Sequence, residues 1–351
     1  MTQTTATATT GWLKNPIFDL TFILGVPLLA IAAGLAAWRQ PTLFVPLLIA
    51  DLWLLGYHHV IATFTRTAFD RESFREHKAL NLHLPMAVAL AVTLLALSFG
   101  PWILATIYLH WQWYHYTRQS EGISKAYIGK NPGRAAGDPR WMRFAFYSVP
   151  VAGILHVSAR APETFLFMPV QTMLIPMEIV WAADGVAILA FSAWLVYQIR
   201  AAMQGRLALS YFLYMLSHFA IYLIAYILID ELNYGWLTIN IWHNAQYILF
   251  VWLFNNKRFN GRIDAKHQLL STLSQTSRFP LYIVTCLAIS TVVYYLLEAY
   301  GVAWVSSSLG VSAAAASVII YQTLNFHHYI VDSRIWKLRK QTLRANLDLA
   351  R

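Results

Sequence analysis

Only one cysteine, Cys286, occurs in the 351 residues, and it lies inside an apolar run, so a disulfide framework is excluded. Charge is scarce too. Asp, Glu, Lys and Arg make up 12% of the chain, against about 25% in a soluble domain. Acidic residues are the rarer sign, 16 against 26 basic ones. The start, MTQTTATATTGW, lacks the basic n-region and apolar core of a cleavable signal peptide, so the first apolar helix is expected to act as its own insertion signal. Repeats and low-complexity tracts are absent, and no loop has room for a second soluble domain. The whole chain, 1–351, therefore reads as a single transmembrane helical domain.

What is abundant is apolar: 58% hydrophobic residues and a mean hydropathy of +0.48. A membrane span needs about 20 apolar residues. Ten candidate spans appear, near 17–38, 43–64, 81–99, 102–118, 144–159, 177–199, 209–229, 236–254, 279–299 and 311–332. The fifth is short and contains Pro150 and His156. The proline-broken stretch 162–176 reads as a re-entrant or interfacial loop. The expected fold class is all-α, a polytopic integral membrane protein of about ten helices.

The net charge of +10 does not mark a nucleic-acid partner, because the basic residues sit in short loops between apolar runs. With ten spans every basic loop falls on one side: Arg66 to Lys78, Lys125 to Arg143, Arg200 and Arg206, Lys257 to Arg278, and the tail from Arg334. The opposite loops hold only Arg39 and Arg160. Positive residues stay inside, which puts both termini in the cytoplasm, with a bacterial inner membrane as the expected location.

Most of the twelve histidines fall inside spans. The second span carries His58 and His59, the fourth His110 and His115, the eighth His243, and the tenth His327 and His328. These spans all run toward the basic side. Their histidines lie about 3 to 12 residues from that end, a slab about 5–18 Å deep at 1.5 Å per residue. Neutral imidazole is the commonest metal ligand, and one ion would satisfy several ring nitrogens together. Asn325, His328 and Asp332 share a helix face by their spacing, so Asp332 is a ligand or an orienter of one. Asp51 and His58, seven apart, are expected on one face as well. His110 and His115 point about 140° apart, so one of them faces elsewhere. The candidate ligands are His58, His59, His110, His115, His243, His327, His328 and Asp332. For His83, His156 and His218 an interhelical hydrogen bond suffices, and His77 and His267 read as loop residues. Nearby aromatics, Trp111, Trp113, Tyr114, Trp242, Tyr247, Phe326 and Tyr329, are candidates to line a tunnel for an apolar substrate.

The segment FHHYIVD, with His327 five residues before Asp332, resembles the last motif of the Brp/Blh family of membrane β-carotene 15,15′-dioxygenases. The order of four histidine-bearing helices is similar. Where that family opens its first motif with Pro-His-Gly, this chain has YHHVIAT, and its second motif is answered by HWQWYH. The resemblance implies an iron-dependent oxygenase acting on a polyene. Membrane fatty-acid desaturases and hydroxylases offer an analogy of chemistry, although their H-x-x-H-H boxes do not occur here.

The expected function is a membrane metalloenzyme that oxygenates, cleaves, desaturates or hydroxylates a lipid-soluble substrate such as a carotenoid or fatty acyl chain. A His and carboxylate ligand set suits iron, with copper or zinc as alternatives. One or two non-haem iron ions are expected, with O2, the bilayer, a hydrophobic substrate and an electron donor as partners. The rival readings are a haem-binding electron carrier and a metal or proton transporter. Gly and Pro, which break transporter helices, are rare in the histidine spans.

Overall fold

The computed structural model describes residues 11–134, 139–259, 261–338 and 340–349. Their architecture is almost wholly helical. Ten long helices follow in order: α1 (Pro16–Arg39), α2 (Pro41–Thr67), α3 (Ala79–Phe99), α4 (Pro101–Gly129) and α5 (Pro139–Ala159). Then come α6 (Met177–Met203), α7 (Leu209–Leu228), α8 (Leu232–Phe259), α9 (Thr276–Leu309) and α10 (Ala313–Ile335). Six of them, α1, α2, α3, α6, α7 and α9, are long and apolar enough to cross a membrane. The other four match in length but carry more polar side chains, and three of these four hold the histidines of the fourth, eighth and tenth expected spans.

Local sequence sets the helix ends. Asn15 caps α1 by accepting the Phe18 N–H at 2.8 Å, with Pro16 in the first turn. Ser312 caps α10 by accepting from Ala315 N. The α3–α4 turn passes through Gly100 at φ +90°, followed by Pro101, a backbone that suits glycine before a helix-starting proline. α4 runs to Gly129, well past the expected end near 118. Its extra turns are polar and stabilised by Glu121, which pairs with Arg118 and Lys125. Pro150 lies inside α5 without ending it.

Helix α8 is the axis of the bundle, buried along nearly its whole length. It packs on α1, α2 and α7, while α10 packs on α3, α4 and α2. The contact of α8 with α7 is close enough that a Cβ on Gly235 would sit 1.9 Å from the Ala225 carbonyl oxygen. The outer helices present apolar side chains outward: Leu90 of α3, Leu189 of α6 and Val284 of α9 are all more than half exposed. A girdle of this size marks a surface made for lipid.

Loops expected on one side do meet at one end of the bundle. Asp348 receives Lys130, at 3.7 Å, and Lys257, and Asp70 is approached by Arg258 at 3.5 Å and His267 at 3.3 Å. At the opposite end Trp38 Nε1 donates to Asp230 at 3.0 Å. There Arg160 donates to the carbonyls of Tyr226, Ile227 and Ile229. The loop at 162–176 contains a two-rung ladder, Thr164–Phe165 with Met168–Pro169. It drives Phe165, fully buried, between Tyr108 and Trp236 and so plugs that end. Residues 1–10 and 350–351, parts of the expected cytoplasmic termini, lie outside the described residues.

Candidate metal centre

Helices α2, α4, α8 and α10 each bring one imidazole to a common point. His59, His115, His243 and His328 are all buried, and each offers a ring nitrogen within 4.8 Å of the others. His59 Nε2 lies 2.8 Å from His328 Nε2. The rings of His115 and His243 stand edge to face at 5.0 Å.

The hydrogen bonds show what these nitrogens need. His59 Nδ1 sits 3.0 Å from the Gly56 carbonyl. A carbonyl only accepts, so this nitrogen carries the proton and Nε2 presents a bare lone pair. His328 Nδ1 lies 3.0 Å from Thr63 Oγ1. Tyr247 donates its proton to Asp332 and so takes that of Thr63, which leaves Thr63 to accept from His328 Nδ1 and turns a bare Nε2 inward. His115 Nε2 and both ring nitrogens of His243 have no partner in the protein. Buried, unpartnered polar atoms cost about 1–3 kcal/mol each. A cation among four neutral imidazoles takes up one nitrogen of each, so it removes that cost for His115 and for one nitrogen of His243. The donor set fits a first-row transition metal.

Asp332 completes the wall. Tyr247 donates to its Oδ1 at 2.6 Å, which leaves Oδ2 facing the centre, 3.5 Å from His328 Nε2 and 3.9 Å from His115 Nε2. Tyr247 is itself held by Thr63, at 2.9 Å, and by the Trp336 indole N–H, at 3.2 Å. Tyr116 stacks on His243 with ring centres 3.9 Å apart, and Tyr329 stacks on His115 at 4.2 Å. These flat supports fix ring orientation without using a nitrogen.

Three of the expected ligands are not brought into the group. His58 turns Nδ1 to the Leu54 carbonyl at 3.3 Å, His110 turns to Thr106 O at 2.9 Å, and His327 Nε2 to Leu80 O at 2.8 Å. For His58 the reason is a π-turn over Leu52–Gly56, closed by a bond from Tyr57 N to Leu52 O. The wider turn takes up one extra residue, so two turns from Asp51 end at His59 rather than His58. Asp51 and His59 both face α8: Asp51 accepts from Asn240, and the His59 ring lies 5.2 Å from that of His243. His110 is the member of its pair that faces elsewhere, as the 140° separation requires. At the end of α10 the shared face of Asn325, His328 and Asp332 selects His328. The family-like spacing of His327 and Asp332 selects the neighbour that points at α3. The bonds expected of His156 and His218 are present: His156 Nε2 meets Asp184 at 3.0 Å, and His218 spans Ser120 and the Phe146 carbonyl, both at 3.0 Å.

A cavity of about 540 Å³ reaches the centre from the basic end. Of the seven aromatics expected to line a tunnel, Trp111, Tyr114, Tyr247 and Tyr329 do so. Trp113 instead donates to the Pro150 carbonyl, Trp242 packs against Tyr222, and Phe326 stacks behind Trp111. His115 and Asp332 form the floor, and Arg118, Glu121, Lys125 and Lys337 stand at the mouth. Thr63 went unnoticed in the sequence, although its place one turn after His59 put it on the ligand face.

No known protein family, curated protein or solved structure matches this chain. Its function has to be read from the centre itself.

Proposed function

We propose that this chain is a membrane-embedded metalloenzyme that oxidises a lipid-soluble substrate. The observation that carries the reading is the buried quartet His59, His115, His243 and His328, three of whose ring nitrogens have no protein partner. Non-haem iron is the metal proposed. When bound, it supplies the activation of O2 that oxidation of an unreactive hydrocarbon requires. The protein's part is to hold four neutral imidazoles, to aim Asp332 Oδ2 at the centre through Tyr247, and to fix the His243 and His115 rings by stacking Tyr116 and Tyr329 on them. The cavity supports a substrate-processing role, since it joins an aromatic wall to the centre. In this reading all ten helices span the membrane and the basic end faces the cytoplasm of a bacterial cell.

Four imidazoles close on one point from four helices, so any two taken as axial ligands leave the other two in the plane a porphyrin needs around its iron. That argues against haem.

Elemental analysis and an optical spectrum of the purified chain test the proposal together. Close to one or two iron ions per chain, lost in the His243→Ala variant and without a Soret band, is the expected result. A chain that purifies folded and free of transition metals under metal-replete growth refutes it.

A further inference from the structure

A second groove adjoins the cavity. Arg140, Arg143, Phe144 and Tyr147 line it from α5, and Tyr114 lines it from α4. The α5 positions are spaced 0, 3, 4 and 7, one face of a helix, and Tyr114 belongs to both spaces. The groove holds about 440 Å³.

Its charge is unbalanced. Glu121 is buried between the two spaces, and three cations converge on it: Arg118, Lys125 at 2.6 Å and Arg143 at 3.5 Å. Tyr147 adds a fourth donor at 2.7 Å. Three positive charges on one negative leave a surplus of two. Arg143 meets Glu121 through Nε, which leaves the paired terminal nitrogens of its guanidinium for another acceptor. That fork matches a carboxylate or phosphate. Trp141 and Phe144 beside it are over a third exposed, as befits aromatics at the level of lipid headgroups.

We propose that this groove seats the anionic headgroup, carboxylate or phosphate, of an amphiphile whose apolar chain passes Tyr114 and lies along Trp111 and Tyr329 toward the histidine centre. The inference rests on the enzymatic reading above and deepens it: the substrate is a charged acyl lipid rather than a neutral polyene, because a neutral hydrocarbon has no use for the surplus charge.

The test uses the full chain in phosphatidylcholine nanodiscs, with oleate, oleyl alcohol and inorganic phosphate as probes in a binding titration. Oleate is expected to bind at least 10-fold tighter than oleyl alcohol. The double variant Arg140→Gln/Arg143→Gln should bring oleate to the level of the alcohol, whereas Arg75→Gln at another basic loop leaves it unchanged. Arg143→Lys, which keeps the charge but not the fork, should give a smaller loss, and gel filtration checks that each variant is folded. Equal binding of acid and alcohol, or an unchanged double variant, overturns the proposal. So does inorganic phosphate binding as tightly as oleate, which would make the groove a site for free anions. Metal content is measured on the same samples: charge-dependent oleate binding without metal sinks the enzymatic reading and keeps the groove, and metal without charge-dependent binding does the reverse.

Discussion

Replacing His243 with leucine should reverse the sign of its effect on stability according to whether metal is present. His243 is fully buried, and neither ring nitrogen has a partner. In the metal-free chain, leucine removes two unsatisfied polar atoms, worth about 2 kcal/mol at the low end of the usual range. It also loses the stack on Tyr116, about 0.5–1.5 kcal/mol. The metal-free variant should therefore be about 1 kcal/mol more stable than the native chain. With metal the order inverts. A ligand at 100 times its dissociation constant stabilises the folded state by about 2.7 kcal/mol, and a chain that has lost one of four ligands forfeits most of this. Cys286 is the only cysteine and is fully buried, so a dye that fluoresces on reacting with thiols reports unfolding directly. Melting curves with added metal and with chelator supply the comparison. His218→Leu is the control: both its ring nitrogens are bonded, so its loss should cost about 2 kcal/mol in either condition. If His243→Leu behaves like His218→Leu, lowering stability equally with and without chelator, then His243 is a packing residue and the reasoning fails.

Further outcomes follow from other parts of the molecule. Thr63→Val removes the hydroxyl that serves His328 Nδ1 and Tyr247, so metal affinity in a competition titration should fall about 10- to 100-fold. Gly235→Ala forces a Cβ to within 1.9 Å of a backbone carbonyl; it should abolish the folded, monodisperse species on gel filtration. Asp70 lies in the loop after α2, where burial alone raises its carboxyl. The two Ser73 donors and the charges of Arg258 and His267 outweigh burial and hold it below the usual value of 3.8. Its contribution is thus fully present above that value and is lost as pH falls through the lower folded one. Asp70→Ala should accordingly speed amide exchange in the short helix Arg71–Glu76 at pH 6, by about 1 kcal/mol of lost capping, with the gap narrowing below pH 4.

Depth was legible in the sequence and direction was legible only in part. Counting from the basic loops placed all four clustering histidines in one slab, because helical rise is fixed per residue. That count cannot divide the neighbours in His58–His59 or His327–His328, which differ in angle far more than in depth. On α10 the spacing to Asp332 gave the angle correctly. On α2 it failed, because LWLLG carries no evident mark of a π-turn, and the resulting one-residue phase shift depends on tertiary contacts. Four of the seven lining aromatics reach the cavity, since an aromatic near a helix end serves equally well as packing or as wall. Pairing of Glu121 with nearby basic residues is legible from the spacing of Arg118 and Lys125 on its own helix, whereas the approach of Arg143 from the next helix is not.

The close approach of His59 to His328 joins residues 269 positions apart. Its consequence concerns biogenesis. When α2, α4 and α8 have been synthesised, three imidazoles are present without their fourth, and Tyr247 still lacks the Asp332 it binds. The centre closes only when α10, the last of the four in chain order, packs against the others. On the proposed reading, tight capture of an ion waits for α10, so a bound ion certifies that every ligand-bearing helix has docked.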